Sequence, residues 1–276
     1  MVVYDIPVKV EGSFPGAHLN VYLIENSDEL WIKEHPLVLL CPGGGYERTS
    51  DREADPLAFR FLAMGYHVAI LRYSCAPAVY PTALLELAWS MKMLHEKAAE
   101  WHVAKDRIVV AGCSAGGHLA ASLGMFWHEE WLAKKTGCRA EDLKPAGMLL
   151  CYPVITSGKL AHRGSFEALL AGQYTEEMLE RVSLEKQVSE YTPPAFLWHT
   201  YTDDCVPVEN SLLLIEAMKR YQIPVEFHMY PTGGHGLSAA DESSMDMAQY
   251  GVQKECQSWL PLAKNWLEGL FLDKCI

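Results

Sequence analysis

Two hydrophobic periods alternate along most of the chain. Short aliphatic and β-branched runs occur at residues 37–41 (LVLLC), 67–72 (HVAILR), 107–111 (RIVVA), 146–151 (AGMLLC), 195–200 (AFLWHT) and 225–230 (VEFHMY). Their length and near-continuous apolar character predict strands buried on both faces. Longer stretches of helical period lie between them. In residues 82–100, Leu84, Leu87, Ala88, Met91 and Leu94 fall three or four apart, on one stripe of an amphipathic helix. Further helices are predicted over residues 55–64, 115–127, 208–221 and 250–270. Strand and helix in alternation predict an α/β fold, a mostly parallel central sheet flanked by helices on both faces.

One segment breaks the alternation. Residues 157–192 mix charged side chains with Phe166, Leu169, Leu170, Tyr174, Met178 and Leu179. An insertion of this length after a strand is expected to be either a small helical cap or a surface excursion.

Composition narrows the classes. Half of the 276 residues are apolar, enough for a sizeable core, and one domain over residues 1–276 is expected. With 23 basic and 35 acidic residues the formal charge is −12. No block of lysines or arginines offsets it, so nucleic acid and anionic membranes are not expected partners. The start, MVVYDIPVKVEG, lacks a basic stretch followed by a long apolar run, and no apolar run reaches the ~18 residues a membrane span requires. A cytoplasmic location is therefore the default expectation. Cys41, Cys75, Cys113, Cys138, Cys151, Cys205, Cys256 and Cys275 are widely spaced without a C-x-x-C pair and read as reduced thiols. Quaternary structure is left open, a homo-oligomer included, because Trp127, Trp131, Trp198 and Trp259 fit core and interface equally well.

The candidate chemistry begins at VVAGCSAGGH, residues 109–118, where a predicted strand runs into a predicted helix. Gly112-x-Ser114-x-Gly116 fits a strand-turn-helix corner so tight that only residues without bulk surround the serine, the nucleophile elbow. A helix-capping serine would fit the same place, so the remaining machinery decides. A serine hydroxyl needs a base, and the base needs a carboxylate to hold its tautomer. His235, in PTGGHGL, sits on a glycine-flanked loop after the last predicted strand. Asp203 and Asp204, in HTYTDDCVP, lie just beyond another strand, at the edge where open α/β sheets gather their functional groups. The order serine, aspartate, histidine is that of α/β-hydrolases. Gly43, Gly44 and Gly45, in LLCPGGGYE, let backbone N–H groups approach a developing oxyanion, with the N–H of Ala115 as a second source.

Taken together, PGGGY, LRYSCAPAVYPTALLELA, DRIVVAGCSAGGHLAASLG, SEYTPPAFLWHT, VPVENSLLLIEAM and YPTGGHGL resemble the α/β-hydrolase esterases related to bacterial acetyl esterases and acetylxylan esterases, cousins of the hormone-sensitive-lipase group. The resemblance covers residues 37–237. It implies Ser114 as nucleophile, His235 as base and Asp203 as acid. Asp203 is chosen over Asp204 because the family's acid lies three residues before the valine of the VP pair, here Val206. It also implies Gly44, Gly45 and Ala115 as oxyanion donors. Two positions depart from the pattern: Pro42 stands where the wider group often has histidine, and Cys113 precedes the nucleophile in place of an aromatic or acidic residue. Both are expected to reshape the pocket. The implied activity is hydrolysis of short acyl esters, acetyl first, of a small-molecule alcohol with acylated carbohydrate among the candidates. The expected chemistry needs no metal or organic cofactor. An amidase or peptidase of the same fold would use the same groups, and a non-catalytic ligand-binding relative would keep only the shell.

Overall fold

The computed structural model describes residues 1–172 and 174–272; Cys275, one of the thiols read as reduced, lies outside them. Eight strands form one sheet: β1 (Val2–Pro7), β2 (His18–Leu23), β3 (His35–Cys41), β4 (His67–Arg72), β5 (Val103–Cys113), β6 (Met148–Cys151), β7 (Ala195–Thr200) and β8 (Val225–Tyr230), in spatial order β1-β2-β4-β3-β5-β6-β7-β8. The six strands from β4 to β8 pair in parallel, and β1 and β2 are antiparallel additions at one edge.

Side-chain alternation along the strands splits the interior in two. Leu37, Leu39, Ile108 and Val110 face one core, while Val38, Leu40, Val109 and Ala111 face the other. The first core is closed by α2 (Thr82–Trp101), α3 (Ala115–Phe126), α4 (Glu130–Thr136) and α7 (Glu209–Arg220). The second is closed by α1 (Asp55–Ala63) and α8 (Trp259–Phe271). The doubly covered, mostly parallel sheet is the architecture that the hydrophobic pattern predicts. Among the described residues no helix is long and apolar enough to cross a membrane.

Several elements differ from the sequence reading. The predicted helix over residues 250–270 begins only at Trp259, after a 3-10 turn at Lys254–Ser258. Pro261 explains the shift, because proline has no N–H to give and is tolerated only in a helix's first turn. The antiparallel strands β1 and β2 and the helix α4 were absent from that reading. Among the described residues, 157–192 hold two short α-helices, α5 (Arg163–Leu170) and α6 (Glu176–Arg181), and a 3-10 turn at Leu184–Lys186. Phe166, Leu169 and Leu170 of α5 are buried in the first core. Trp198 and Trp259, left open between core and interface, stack at 5.3 Å inside the second core.

Candidate active site

Ser114 is the joint between β5 and α3, with φ 53° and ψ −121°, a sparsely populated conformation for a residue carrying Cβ. The flanking glycines make the turn sterically allowed. A Cβ on Gly112 would sit 2.1 Å from the Gly116 carbonyl oxygen, and one on Gly116 would sit 2.1 Å from that of Cys41. Backbone bonds hold the corner: the Ser114 N–H donates to Cys151 O (3.0 Å), and its carbonyl accepts from His118 (3.1 Å) and Val154 (3.0 Å).

At this corner the structure brings together the three side chains the sequence singled out. His235 Nε2 lies 2.7 Å from Ser114 Oγ, and His235 Nδ1 lies 2.7 Å from Asp203 Oδ2. The carboxylate accepts from Nδ1–H, which leaves Nε2 bare and able to accept the serine proton. Asp203 Oδ1 accepts the amides of Cys205 (3.0 Å) and Val206 (2.9 Å). Asp204 is exposed at the surface.

A group that sequence reasoning missed completes the carboxylate's shell. His199, wholly buried at the end of β7, approaches Asp203 Oδ2 at 3.2 Å and the Val206 carbonyl at 3.0 Å through Nε2. A carbonyl can only accept, so Nε2 carries the proton and Nδ1 accepts from the Ser211 hydroxyl at 2.8 Å. Burial pushes the Asp203 pKa up, but the hydrogen bonds from His199 and His235, the His235 charge and the Val206 amide outweigh it. The carboxyl is held well below its usual range. A histidine four residues ahead of an aspartate at a strand end was the available signal.

Three consecutive peptide planes of the glycine loop are pinned. Pro42 O accepts the Tyr73 hydroxyl at 2.7 Å, and on the same plane the Gly43 N–H donates to Glu53 Oε2 at 2.8 Å. Gly43 O accepts from Ser50 N at 2.8 Å, and Gly44 O accepts from Glu47 and Arg48 at 3.1 and 3.2 Å. Across a trans peptide C=O and N–H point in opposite directions, so these anchors turn the Gly44 and Gly45 amides the other way. Among the described residues neither amide has an acceptor. Gly44 takes φ 128°, and a Cβ there would strike Arg48 O at 2.2 Å. Ala115 is the first residue of α3, so its N–H has no intrahelical partner and lies at the positive end of the helix dipole. Gly43 is the one loop glycine whose amide is already engaged.

Gly44 and Gly45 border a cavity of about 430 Å³ whose wall includes Ser114, His235, Glu47, Arg48, Arg52 and Glu53. Among the described residues no valine, leucine, isoleucine, methionine or aromatic ring other than histidine lines it. His162, from the inserted segment, also reaches it. Its Nδ1 accepts from Ser165 Oγ (2.8 Å) and Ser165 N (3.3 Å), which leaves the proton on Nε2. Burial and the nearby His235 hold its pKa below the ordinary histidine value. Pro42 and Cys113, expected to reshape the pocket, are buried and do not border it; Cys113 packs in the second core. Two larger hollows, about 680 and 900 Å³, contain none of Ser114, Asp203 and His235.

A second buried histidine ties the inserted segment to the glycine loop. His118 of α3 donates from Nε2 to Val182 O at 2.8 Å and accepts from the Tyr46 hydroxyl at 2.8 Å. Burial lowers its pKa to about 4.

Residues 19–218 match the profile of the BD-FAE family. Over 229 residues the chain is 31% identical to endo-1,4-beta-xylanase B of Butyrivibrio fibrisolvens, covering 81% of this chain and 35% of that one. Over 204 residues it is 26% identical to an acetylxylan esterase of Xylanibacter ruminicola, covering 71% of this chain and 40% of that one. The chain thus spans well under half the length of these two relatives. Among solved structures it is similar to an acetyl ester-xyloside bifunctional hydrolase from Caldicellulosiruptor lactoaceticus, at TM-score 0.85 and 31% identity, over 97% of this chain and 96% of that one.

Proposed function

From the premise that this chain belongs to the BD-FAE family of α/β-hydrolases, we propose that it is a serine esterase that removes short acyl groups, acetyl first, from the hydroxyls of carbohydrates. The observation that carries the reading is the unbroken relay from Ser114 Oγ through His235 to Asp203, with both links at 2.7 Å, beside amides that have no acceptor.

In this reading Ser114 Oγ attacks the ester carbonyl while His235 Nε2 takes its proton. The carbonyl oxygen becomes an oxyanion held by the Gly44, Gly45 and Ala115 amides, donors that need no reorganisation during the step. Collapse of the tetrahedral adduct breaks the ester C–O bond, and His235 returns the proton to the departing alkoxide. Water then attacks the acyl-serine, giving its proton to the same nitrogen, and the free acid leaves as Ser114 is reprotonated. Asp203 stabilises the imidazolium in both halves. Its depressed pKa suits that role, because it stays ionised when His235 is charged.

The cavity wall supports this substrate class. Charged and polar groups with no aliphatic lining disfavour a long acyl chain and suit an alcohol rich in hydroxyls. The names of the acetylxylan esterase and of the acetyl ester-xyloside hydrolase point the same way. The test compares wild type with Ser114→Ala on p-nitrophenyl esters of graded length and on acetylated xylo-oligosaccharides. Wild type should be fastest on acetyl groups and the variant should retain essentially no covalent turnover. Equal rates for the two proteins, or a rate rising from acetate to decanoate, would overturn the reading.

A further inference from the structure

Glu53 is a carboxylate only 4% exposed, at the edge of the catalytic cavity, and the reaction above gives it no proton to carry. Its oxygens are occupied by groups from opposite sides of the site. Oε2 accepts the Gly43 amide at 2.8 Å, and Oε1 accepts the Tyr152 hydroxyl at 2.7 Å. Among the described residues it forms no ion pair. The Tyr152 oxygen in turn accepts the amide of Ser238 at 2.9 Å, three residues beyond His235. The Tyr152 ring meets the His235 imidazole edge-on, with centroids 5.1 Å apart at 74°. A buried carboxylate is tolerated only where its donors are present and well aimed. The same group therefore demands a fixed orientation of the Gly43 peptide and of the turn that follows His235.

We propose that Glu53 is a positioning residue that, through Tyr152, locks the oxyanion loop and the histidine loop into one register. By holding the Gly43 N–H, it sets the first of the three pinned planes and so the direction of the Gly44 and Gly45 amides. By holding the Tyr152 hydroxyl, it fixes the ring against which His235 rests. Glu53 touches no reacting atom in this account. It acts on the barrier by keeping amides and imidazole aimed at one point, so its removal should weaken transition-state binding while leaving ground-state binding nearly intact.

The kinetic arm of the test rests on the esterase reading above; a second arm does not. Glu53→Gln is isosteric, but its amide offers one acceptor oxygen to two donors. Tyr152→Phe removes the link from the other end and serves should the first variant fold poorly. With p-nitrophenyl acetate, each is expected to lower kcat about tenfold or more while KM stays within about threefold. Rates are normalised to active sites titrated with a fluorophosphonate. The inhibition constant of phenylboronic acid, which binds as a tetrahedral adduct, should rise in step with the loss in kcat/KM. The double variant should be no slower than the slower single one, because both break the same link. Independently of turnover, hydrogen exchange at the Gly43 and Ser238 amides should quicken together in both variants. Wild-type kcat in both variants, or multiplicative losses in the double one, would overturn the proposal. If wild type hydrolyses no ester, the esterase reading fails and exchange decides alone: quickening at both loops upholds the positioning role, and unchanged exchange rejects it.

Discussion

The backbone of Ser114 makes a quantitative prediction about stability. At φ 53° and ψ −121° a residue with Cβ is strained by about 1–3 kcal/mol. Replacement by glycine releases that strain. Glycine also enlarges the unfolded ensemble, which costs about 0.5–1 kcal/mol. Both Ser114→Gly and Ser114→Ala lose the hydroxyl and its 2.7 Å bond to His235, a loss of about 1 kcal/mol common to the two. Alanine keeps Cβ and therefore the strain, so it is the proper reference. Ser114→Gly should be more stable than Ser114→Ala by about 1 kcal/mol, within a range of about 0 to 2.5. For a domain of this size that corresponds to about 2–4 °C in Tm. Differential scanning calorimetry of the two variants at pH 7 measures the gap, and both proteins should lack covalent turnover. If the glycine variant melts below the alanine variant, the corner is not strained and the reasoning from its dihedral angles is wrong.

Three further outcomes are expected. Asp203→Asn should lower kcat by about 10³–10⁴-fold with little change in fold, because an amide at Oδ2 no longer enforces the tautomer that leaves His235 Nε2 bare; steady-state kinetics alongside circular dichroism checks this. Gly44→Ala places a Cβ 2.2 Å from Arg48 O at φ 128°, so the loop must move and kcat should fall about 10²–10³-fold, read on any active ester. Burial lowers the pKa values of both His118 and His67 to about 4, with the neighbouring His35 adding to the effect at His67. Below pH 6.5 the unfolded chain takes up protons that the folded chain refuses, so each group removes about 1.4 kcal/mol of stability per pH unit between about 6.5 and 4 and nothing above that window. Urea titrations across this range should show His118→Gln losing stability with a slope shallower by that amount, and an identical slope in the variant would contradict a neutral buried imidazole.

The order of the parallel strands and their helices was legible because burial on both faces writes itself as continuous aliphatic runs. β4, β7 and β8 begin and end where the pattern places them. The antiparallel edge was not legible for two different reasons. β1 is half solvated, with Val3 and Tyr4 exposed, so it shows no clean alternation. β2 does alternate, with Leu19, Val21 and Leu23 inward, but it is a six-residue strand preceding the first strong run and has no helical partner to mark it. The helix misplaced at residues 250–270 shows that apolar spacing alone sets no start; Pro261 carried that information.

The same distinction runs through the candidate site. Ser114, His235 and the glycine loop were readable because their chemistry constrains the neighbours in sequence: small residues around a tight corner, glycines where a side chain would collide. Glu53 and Tyr152 leave no such local mark. Glu53 lies 10 residues from Gly43 and 99 from Tyr152, and its carboxylate matters only once folding brings those donors to it. A buried acid inside a charged stretch such as SDREADP reads as a solvated helix start, and nothing in its own neighbourhood argues otherwise. Side chains that need a constrained backbone are betrayed by that backbone, whereas groups that hold them are specified by contacts distant along the chain. The second kind therefore enters through geometry: a buried polar atom, a donor without an alternative acceptor, a peptide plane pinned from both sides.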